Sequence, residues 1–414
     1  MSWKTFLAVT IVTAMTVTLS YAQLLTLDDC ISLAKQNNLE LLQAKMDIDA
    51  ARANLTTANA SFYPSLSAST NYHYGGSASV DPSGSFSTGL SAQYTLYKGG
   101  SIRAGSNIAK TQIKIAEQNY RQKENEVILS VKQTFYKILQ TQEQITLINN
   151  ILKRRNDNLA LLKLNYSVGR ENEPNVKQAE VSLNQTEYDY MQAQQNLALA
   201  KLTLSQFLNL PNQEVSIQYQ DKTIEFPSLD SLTKEAEIDR PEIISQKANQ
   251  DILAAQKTQA ISNYLPSLSL SSSYGLGGDN FFKQSDDWSA GAGISLPIFN
   301  GFSSQAKVKQ ANISIKQNEL KTLDLINSIE ADVKQAYANW TLANKNLEVS
   351  NKTLQAAQDA YQLTKLQYEQ GSTSYFFLQQ KESDLTQAEN SNVSALYNLR
   401  SSIAALEKSI GRSN

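Results

Sequence analysis

The sequence has one cysteine and one histidine in 414 residues. Cys30 alone excludes an intrachain disulfide, and we expect it to be a small buried residue on the first helix. A zinc site around His73 would have to rely on carboxylates, and no pair of them has metal-ligand spacing. The chain also lacks a P-loop and a dinucleotide-binding fingerprint. These absences argue against an enzyme and against a bound cofactor or metal.

Long apolar runs and basic tracts are also scarce. The formal net charge is −2, and without a basic tract nucleic acid is not an expected partner. The only long apolar stretch follows Lys4 and ends before the small-x-small sequence Ser20-Tyr21-Ala22, which predicts a secretory signal peptide over residues 1–22. The alternative, a transmembrane anchor, needs about 20 apolar residues, more than this stretch offers. We therefore expect an exported chain.

Glycine and proline are absent between Asn107 and Val168 and between Phe302 and Gln370. Both windows are rich in helix-forming residues, so the sequence predicts helices over 101–167 and 303–369, each about 100 Å long. Shorter helices are predicted over 26–60, 173–208, 229–262 and 373–410. Two of these placed end to end match one long helix, as the wall of a helical barrel requires.

Apolar residues recur every seven positions in both long windows, which predicts left-handed coiled coils. A second seam beginning at Phe135 continues with polar residues, and we interpret it as facing an aqueous interior. An ordinary solvated outer face is the alternative. The heptad positions are Val131, Ile138, Ile145, Leu152, Leu159 and Tyr166, with counterparts Val333, Trp340, Leu347, Leu354, Tyr361 and Tyr368.

Residues 62–170 are repeated at 264–372 with a constant offset of 202. A register held through the turns indicates two copies of one structural unit. We predict a first repeat over 23–211, an equatorial linker over 212–228 with a short strand, and a second repeat over 229–414. The linker is expected to wrap the middle of the helical layer.

Each repeat carries two runs in which apolar and polar residues alternate, predicted as strands over 65–74, 86–97, 267–276 and 286–299. Runs of this length with aromatic residues near their ends are typical of transmembrane β-barrels. A barrel must close on itself, so four strands require oligomerisation: a dimer would supply eight strands and a trimer twelve. The residues predicted to face lipid are Leu66, Tyr72, Tyr74, Phe86, Leu90, Tyr94, Leu268, Tyr274, Trp288, Ile294 and Leu296.

Short motifs in a fixed order resemble those of the TolC family of outer-membrane efflux proteins. They are Thr26-Leu27-Asp28-Asp29, Phe62-Tyr63-Pro64-Ser65-Leu66, Leu96-Tyr97-Lys98-Gly99-Gly100, Pro297-Ile298-Phe299-Asn300-Gly301, and the pairs Tyr166-x-x-Gly169 and Tyr368-x-x-Gly371. The resemblance covers nearly all of the mature chain. It implies a mixed α+β membrane channel: a homotrimer with a twelve-stranded transmembrane β-barrel and a barrel of twelve helix positions extending into the periplasm.

The resemblance also implies partners. Such a channel is the passive exit duct of a tripartite efflux pump or type I secretion system in the outer membrane of a Gram-negative bacterium. It would dock a periplasmic adaptor and an inner-membrane transporter. The helix tips expected to face the adaptor contain Tyr166, Gly169, Arg170, Tyr368 and Gly371; these residues also serve to cap the helix reversals.

The chain departs from the family at a predicted inner constriction. Some relatives carry paired acids six and nine residues after the second tip glycine, where this chain has Phe377 and Gln380. The corresponding first-repeat residues are Asn175 and Gln178. An acidic gate is therefore not expected at this point.

Two other functions fit the sequence less well. A periplasmic coiled-coil scaffold without a pore would leave the four alternating strands unexplained. An adaptor protein also has helical hairpins, but no lipoyl-like domain lies between the helices of this chain.

Overall fold

A computed structural model describes residues 24–77, 80–210, 216–219, 226–280 and 283–412. The predicted signal peptide lies outside these residues. The described elements, in chain order, are β1 (Leu24–Leu25), α1 (Leu27–Asn37), α2 (Leu39–Ala60), β2 (Ser65–Ser77), β3 (Val80–Lys98), α3 (Ser101–Ser167), α4 (Glu173–Phe207), β4 (Ser216–Ile217), α5 (Leu229–Asp239), α6 (Pro241–Ser262), β5 (Ser267–Asn280), β6 (Lys283–Ser295), α7 (Ser303–Glu369) and α8 (Tyr375–Ser409).

The helices α5 to α8 each begin and end 202 residues after a counterpart among α1 to α4. The counterpart pairs are α1 and α5, α2 and α6, α3 and α7, and α4 and α8. The first and second halves therefore share one helical framework.

The predictions of single helices over 26–60 and 229–262 were wrong, since each region forms two helices. Asn38 and Arg240 have extended backbones with ψ of 128° and 125°, which interrupts the helix. The Asn38 side chain caps α2 by accepting hydrogen bonds from the N–H groups of Glu40 and Leu41. Arg240 precedes Pro241, and a residue before proline is held out of the helical region.

Strand ends also differ from the prediction. The strands β2, β3 and β5 are longer than predicted, whereas β6 ends at Ser295 instead of residue 299. Ser295 pairs with Ser267, the first residue of β5, so the residues after Ser295 have no neighbouring strand in the described part of the chain. Pro297 also lacks an N–H group for a ladder. Leu296, predicted to be on a strand, therefore lies just beyond β6.

The four long strands form one antiparallel sheet in the order β2-β3-β5-β6. Both edge strands, β2 and β6, are paired on one side only within the described residues. The short strands β1 and β4 pair in parallel and belong to a separate two-stranded sheet. The sheet containing the hairpins thus has two open edges.

The long helix α3 lies centrally in the helical layer and packs against α2, α4, α6 and α8. The long helix α7 packs against α5, α6 and α8. A core in the middle of α3 surrounds Val131, Phe135 and Ile138, and a matching core surrounds Val333 in α7. In the part of the chain that the structure describes, no helix combines the length and apolar character needed to cross a membrane.

Cys30 is fully buried in the core around α3, as the sequence predicted. Burial raises the pKa of its thiol to about 12, and the nearby charge of Asp29 adds to the effect. The described part of the linker crosses the same core. There the Tyr219 ring lies 4.2 Å from the Arg400 guanidinium and about 6 Å from the rings of Phe135 and Tyr136.

Candidate functional site: the sheet face and the helix tips

The residues predicted to face lipid share one face of the sheet. Leu90 pairs across strands with Tyr274, and Tyr274 pairs with Trp288. The same register aligns Tyr72 with Phe86 and Leu268 with Ile294. Of the predicted set, only Leu296 lies outside a strand, and it is 54% exposed. Their contact with lipid stays a prediction.

Most of these side chains are uncovered within one chain. Trp288 and Ile294 are each 76% exposed and Leu66 is 77% exposed. Phe86 is half-buried because its ring packs against that of Tyr72, with centroids 4.7 Å apart. A broad apolar face without a protein partner points to an apolar environment.

The opposite face of the sheet is made of small polar residues. The Ser67 and Ser91 hydroxyls are 2.7 Å apart, and those of Ser273 and Ser289 are 2.8 Å apart. His73, placed by the sequence in a strand, lies on this face opposite Ser85. The sheet is therefore apolar on one face and hydroxyl-rich on the other.

Each hairpin leads into its long helix through a left-handed turn. Gly99 and Gly301 have φ of +54° and +65°. A Cβ on Gly99 would lie 2.8 Å from the Ser262 carbonyl oxygen, so this position tolerates only glycine. Phe302, the residue after Gly301, also has a positive φ of +66°. A bulky residue is rarely found in this conformation.

The two helix tips are closed by glycine caps. Gly169 and Gly371 both have φ of +73°, and a Cβ on either would meet nothing within 4 Å. The Arg170 N–H donates to the Asn165 carbonyl and the Gly169 N–H donates to the Tyr166 carbonyl, which is a Schellman motif. The second tip has the same pair of bonds. Glycine is needed here for its backbone conformation and not for space.

The two tip tyrosines lie in different surroundings. Tyr166 is 46% exposed, whereas Tyr368 is 7% exposed. The Tyr368 hydroxyl accepts a hydrogen bond from Asn165 at 3.2 Å and donates one to the Glu171 carboxylate at 3.1 Å. Burial raises the pKa of Tyr368, and the Glu171 charge acts in the same direction. Tyr368 is therefore the predicted tip residue that connects the helical hairpin of α7 and α8 to that of α3 and α4.

Three of the four residues of the predicted constriction contact a residue of their own helical hairpin, and the fourth is exposed. Asn175 donates to the Glu171 carboxylate at 2.7 Å. Gln380 donates to Asp384 at 3.0 Å, and the ring of Phe377 packs against Phe376. Gln178 is exposed. Their role in a constriction stays a prediction.

A charged cluster between α3 and α8 was missed by sequence reasoning. The Arg154 guanidinium binds the Glu389 carboxylate through two nitrogens, at 3.0 and 2.9 Å, and the Thr386 hydroxyl at 3.0 Å. Burial alone would lower the pKa of Arg154, but its bonds and charge attraction to Glu389 raise it. The dipeptide Arg154-Arg155 in a helix seam otherwise lined by Leu and Asn was the available signal.

A buried carboxylate completes this cluster. Glu382 is 5% exposed and accepts a hydrogen bond from Asn158 at 2.8 Å. Its other oxygen is 3.5 Å from Arg155 Nε and 3.9 Å from Arg154 Nε. The Asn158 amide also donates to the Tyr361 hydroxyl at 3.3 Å. In the described ranges, no group of three His, Cys, Asp or Glu residues is placed to hold a metal ion.

Comparisons with known proteins agree with this architecture. A family model described as outer membrane efflux protein matches residues 30–210 and 232–412. The cation efflux system protein CusC of Escherichia coli O157:H7 is 24% identical over 360 residues, covering 83% of this chain and 77% of that protein. The outer membrane protein TolC of Vibrio cholerae is 21% identical over 391 residues, covering 91% and 89%.

Solved structures share the fold. A crystal structure of CusC has a TM-score of 0.84 at 21% identity and covers 93% of this chain and 92% of that one. The Campylobacter jejuni CmeC outer membrane channel has a TM-score of 0.81 at 20% identity, covering 93% and 85%. The family model covers most of the sequence, and its relatives are outer-membrane efflux channels. This chain belongs to the TolC family of outer membrane efflux proteins.

Proposed function

We propose that three copies of this chain form an outer-membrane channel that is the passive exit duct of a tripartite efflux pump or type I secretion system. The observation that carries the proposal is the sheet: four strands, apolar on one face and hydroxyl-rich on the other, with both edges open. A membrane-spanning sheet must satisfy every backbone group, so its edges have to meet those of other copies. Three copies supply twelve strands, enough to enclose a conduit.

The helical layer supports the same arrangement. The central helix α3 has packed helices on both flanks, whereas α7 has them on one flank. Its uncovered side carries apolar residues spaced by seven and then fourteen positions, Leu342, Val349 and Leu363, which are 51 to 69% exposed. A similar stripe on α4 includes Val181, Tyr188 and Leu202, which are 54 to 61% exposed. Two different uncovered surfaces suit a head-to-tail ring of identical copies.

The repeat also predicts the strand register between copies. The β3–β5 pairing inside one chain aligns Leu90 with Tyr274, so the equivalent pairing of β6 with β2 of the next copy would align Ala292 with Tyr72. Ala290 would likewise oppose Tyr74. Small residues would therefore lie opposite tyrosines at each junction. In this pairing β6 gains a neighbour beyond Ser295, and the predicted strand up to residue 299 would form on assembly.

The far ends of α3 and α7 lie some 67 residues from the sheet, at the two glycine-capped tips. A 67-residue helix spans about 100 Å, which places the tips deep in the periplasm if the sheet spans the outer membrane. We propose that these tips dock a periplasmic adaptor, which connects the duct to an inner-membrane transporter. The exposed residues Tyr166 and Arg170 are the candidate contacts.

Purified protein in planar bilayers tests the duct. We expect detergent-extracted outer membranes to yield particles with the mass of three chains, and these particles to give discrete single-channel currents. Deletion of the gene should abolish export by the associated pump. A trimer that gives no current would instead indicate a scaffold without a pore. A monomer that gives no current would contradict the proposed ring.

A further inference from the structure

The start of each long helix carries basic residues along one exposed face. Positions spaced i, i+4, i+7 and i+11 lie on the same side of an α-helix. The residues at these positions in α3 and at the counterpart positions in α7 are Arg103, Asn107, Lys110, Lys114, Gln305, Lys309, Asn312 and Lys316. All eight side chains are exposed. We call these eight residues the basic stripe, since five of them are cations and three are amides.

No acidic residue balances the basic stripe. Aspartate and glutamate are absent from the four chain segments that adjoin the sheet, 50–64, 101–116, 252–266 and 303–318. Within the described ranges, none of the five cations forms an ion pair with a carboxylate. The first acids on the same helix face are Glu117 and Glu319, a counterpart pair about 24 Å from the start of each helix. The unbalanced positive charge is therefore confined to the part of each long helix next to the sheet.

The basic stripe lies on the open side of the helical layer. Ala104 and Ser106 are both buried and lie about 200° apart around α3, so they mark its two flanks. The Ser106 hydroxyl donates to Asn59 of α2 at 2.7 Å, and α6 is the neighbour on the other flank. Of the two faces between these flanks, one carries the basic stripe and the other carries the buried Ala109. A layer that curves into a tube is crowded on its concave side and open on its convex side, so in the proposed ring the stripe faces outward.

Exposed aromatic residues lie where the sheet meets the long helices. Tyr97 and its counterpart Phe299 are 45% and 74% exposed, and Phe302 is 69% exposed. Tyr97 pairs with Leu268, which belongs to the apolar face of the sheet. Aromatic rings are enriched at the boundary between the hydrocarbon and the headgroups of a membrane. If the sheet spans the outer membrane, the periplasmic boundary of its hydrocarbon therefore lies at the start of α3 and α7.

This boundary places the first cations of the stripe among the lipid headgroups. Arg103 and Lys309 lie two and six residues after the first residue of their helices, about 3 and 9 Å along the axis. The headgroup layer of one leaflet is about 5–7 Å thick, and the long side chains of Arg and Lys can extend toward it. The other three cations lie about 14–20 Å from the helix starts, where an anionic surface still acts on them weakly through physiological salt.

We infer that the outer surface of the duct binds anionic phospholipid headgroups of the periplasmic leaflet through the basic stripe, with Arg103 and Lys309 as the main contacts. Guanidinium and ammonium groups donate charge-assisted hydrogen bonds to phosphate oxygens, and no neighbouring carboxylate competes for them. Each chain has the stripe twice, so a trimer would present it six times around the tube. The inference rests on the proposed trimeric duct, because the ring sets the outward direction of the stripe.

Retention of lipids by the purified protein tests the inference. The protein is reconstituted in vesicles with equal amounts of phosphatidylglycerol and phosphatidylethanolamine and released in mild detergent, and native mass spectrometry identifies the lipids that stay bound. The variant Arg103→Gln, Lys309→Gln removes the two cations nearest the membrane. The control Arg121→Gln, Lys321→Gln removes the same charge from exposed positions of the same helices, about 27–30 Å from their starts.

We expect the unaltered protein and the control to retain phosphatidylglycerol at least fivefold over phosphatidylethanolamine, and the stripe variant to fall to about twofold or less. The reason is that one basic residue close to an anionic surface strengthens binding about fivefold. No preference in the unaltered protein, or an equal loss in the stripe variant and the control, would overturn the inference.

The same spectra report the ring independently of the lipid. Trimers that retain no excess of phosphatidylglycerol would overturn the lipid site and leave the proposed duct standing. Protein with the mass of one chain would contradict the ring and, with it, the outward direction of the stripe.

Single-channel recordings in a salt gradient test the outward direction of the stripe directly. Cations on the wall of the conduit would favour anions, so their removal would shift the reversal potential toward cation selectivity. We expect the reversal potential of Arg103→Gln, Lys309→Gln to equal that of the unaltered channel. A shifted reversal potential with unchanged lipid retention would place the stripe inside the conduit and overturn the inference.

Discussion

The two halves of the chain share helix lengths and turns but differ in what surrounds them. The first half contributes α3 and β3, which have neighbours on both sides within one chain, whereas the second contributes α7 and β6, which have an open side. A Cβ on Gly99 would lie against Ser262, but a Cβ on its counterpart Gly301 would have no contact within 4 Å among the described residues. In the proposed ring, the duplicated framework would use the same backbone for one contact inside the chain and one between chains.

The junction between α1 and α2 and that between α5 and α6 have the same backbone arrangement, although their side chains differ. Asn38 donates to the Phe207 carbonyl at 3.0 Å, and its counterpart Arg240 approaches the Ser409 carbonyl at 3.5 Å. Asn209 and Gly411, also 202 apart, both have a positive φ. Different side chains thus hold the end of α4 or α8 at the same junction.

The largest expected effect compares Gly99 with Gly301. Gly99→Val adds a side chain within 3 Å of Ser262 and Leu265 at a left-handed position, so we expect little folded protein. Within one chain Gly301→Val adds only backbone strain, and in the proposed ring its side chain would clash with the next copy. It should give folded chains that fail to trimerise. Circular dichroism and size-exclusion mass measurements check both variants. Intact Gly301→Val trimers would contradict a contact between copies at Gly301 that is equivalent to the contact of Gly99 within the chain.

The second comparison concerns the buried and exposed ion pairs. Arg154→Ala leaves Glu389 without its partner in a buried seam, which should destabilise the chain by about 3 kcal/mol. Lys345→Ala removes an exposed pair with Glu348 and should have little effect. Thermal unfolding followed by circular dichroism measures the difference. Equal changes in the two variants would show that the Arg154–Glu389 pair does not stabilise the packing of α3 against α8.

The stability contributed by the Arg240 junction should depend on pH. Although burial alone would raise the pKa of Glu242, its hydrogen bonds and charge attraction to Arg240 lower it below the usual 4.5. A lowered folded pKa adds stability above pH 4.5, and this stability is lost as the pH falls through the folded value. Glu242→Gln should therefore flatten the acid side of the stability profile. Asn38 is uncharged and caps α2 through neutral hydrogen bonds, so Asn38→Ala is the control and should leave the acid slope unchanged.

The sequence predicted most of the helical framework because its signals are local. The absence of glycine and proline marks α3 and α7, and the tip glycines mark the reversals. The breaks at Asn38 and Arg240 also have local marks, an N-cap residue and a proline, but the surrounding helical pattern is the stronger signal. Local signals are not sufficient where a neighbouring strand or a residue distant in the sequence determines the structure. The end of β6 depends on a neighbouring strand, and the pairing of Arg154 with Glu389 joins residues 235 positions apart.

The tip glycines give a smaller effect on stability than on export. Gly169→Val or Gly371→Val forces a branched residue into φ of +73° with no clash, so each should cost about 1–2 kcal/mol. We expect trimers to assemble while export falls, because a distorted cap moves the residues proposed to meet the adaptor. Gly169→Asn and Gly371→Asn are the controls, since asparagine tolerates this conformation. Unimpaired export in both valine variants would count against docking at the tips.

The smallest expected effect compares Phe302 with its counterpart Gly100. Phe302→Gly removes a bulky residue from a left-handed position and should relieve about 1 kcal/mol of backbone strain. The ring is 69% exposed and packs edge-on against Phe299, so little buried area is lost within one chain. We therefore expect the isolated chain to unfold at a slightly higher temperature. If the ring also contacts the next copy or the membrane surface, the trimer should dissociate more easily, and a trimer that is stabilised as much as the chain would show that Phe302 has no partner after assembly.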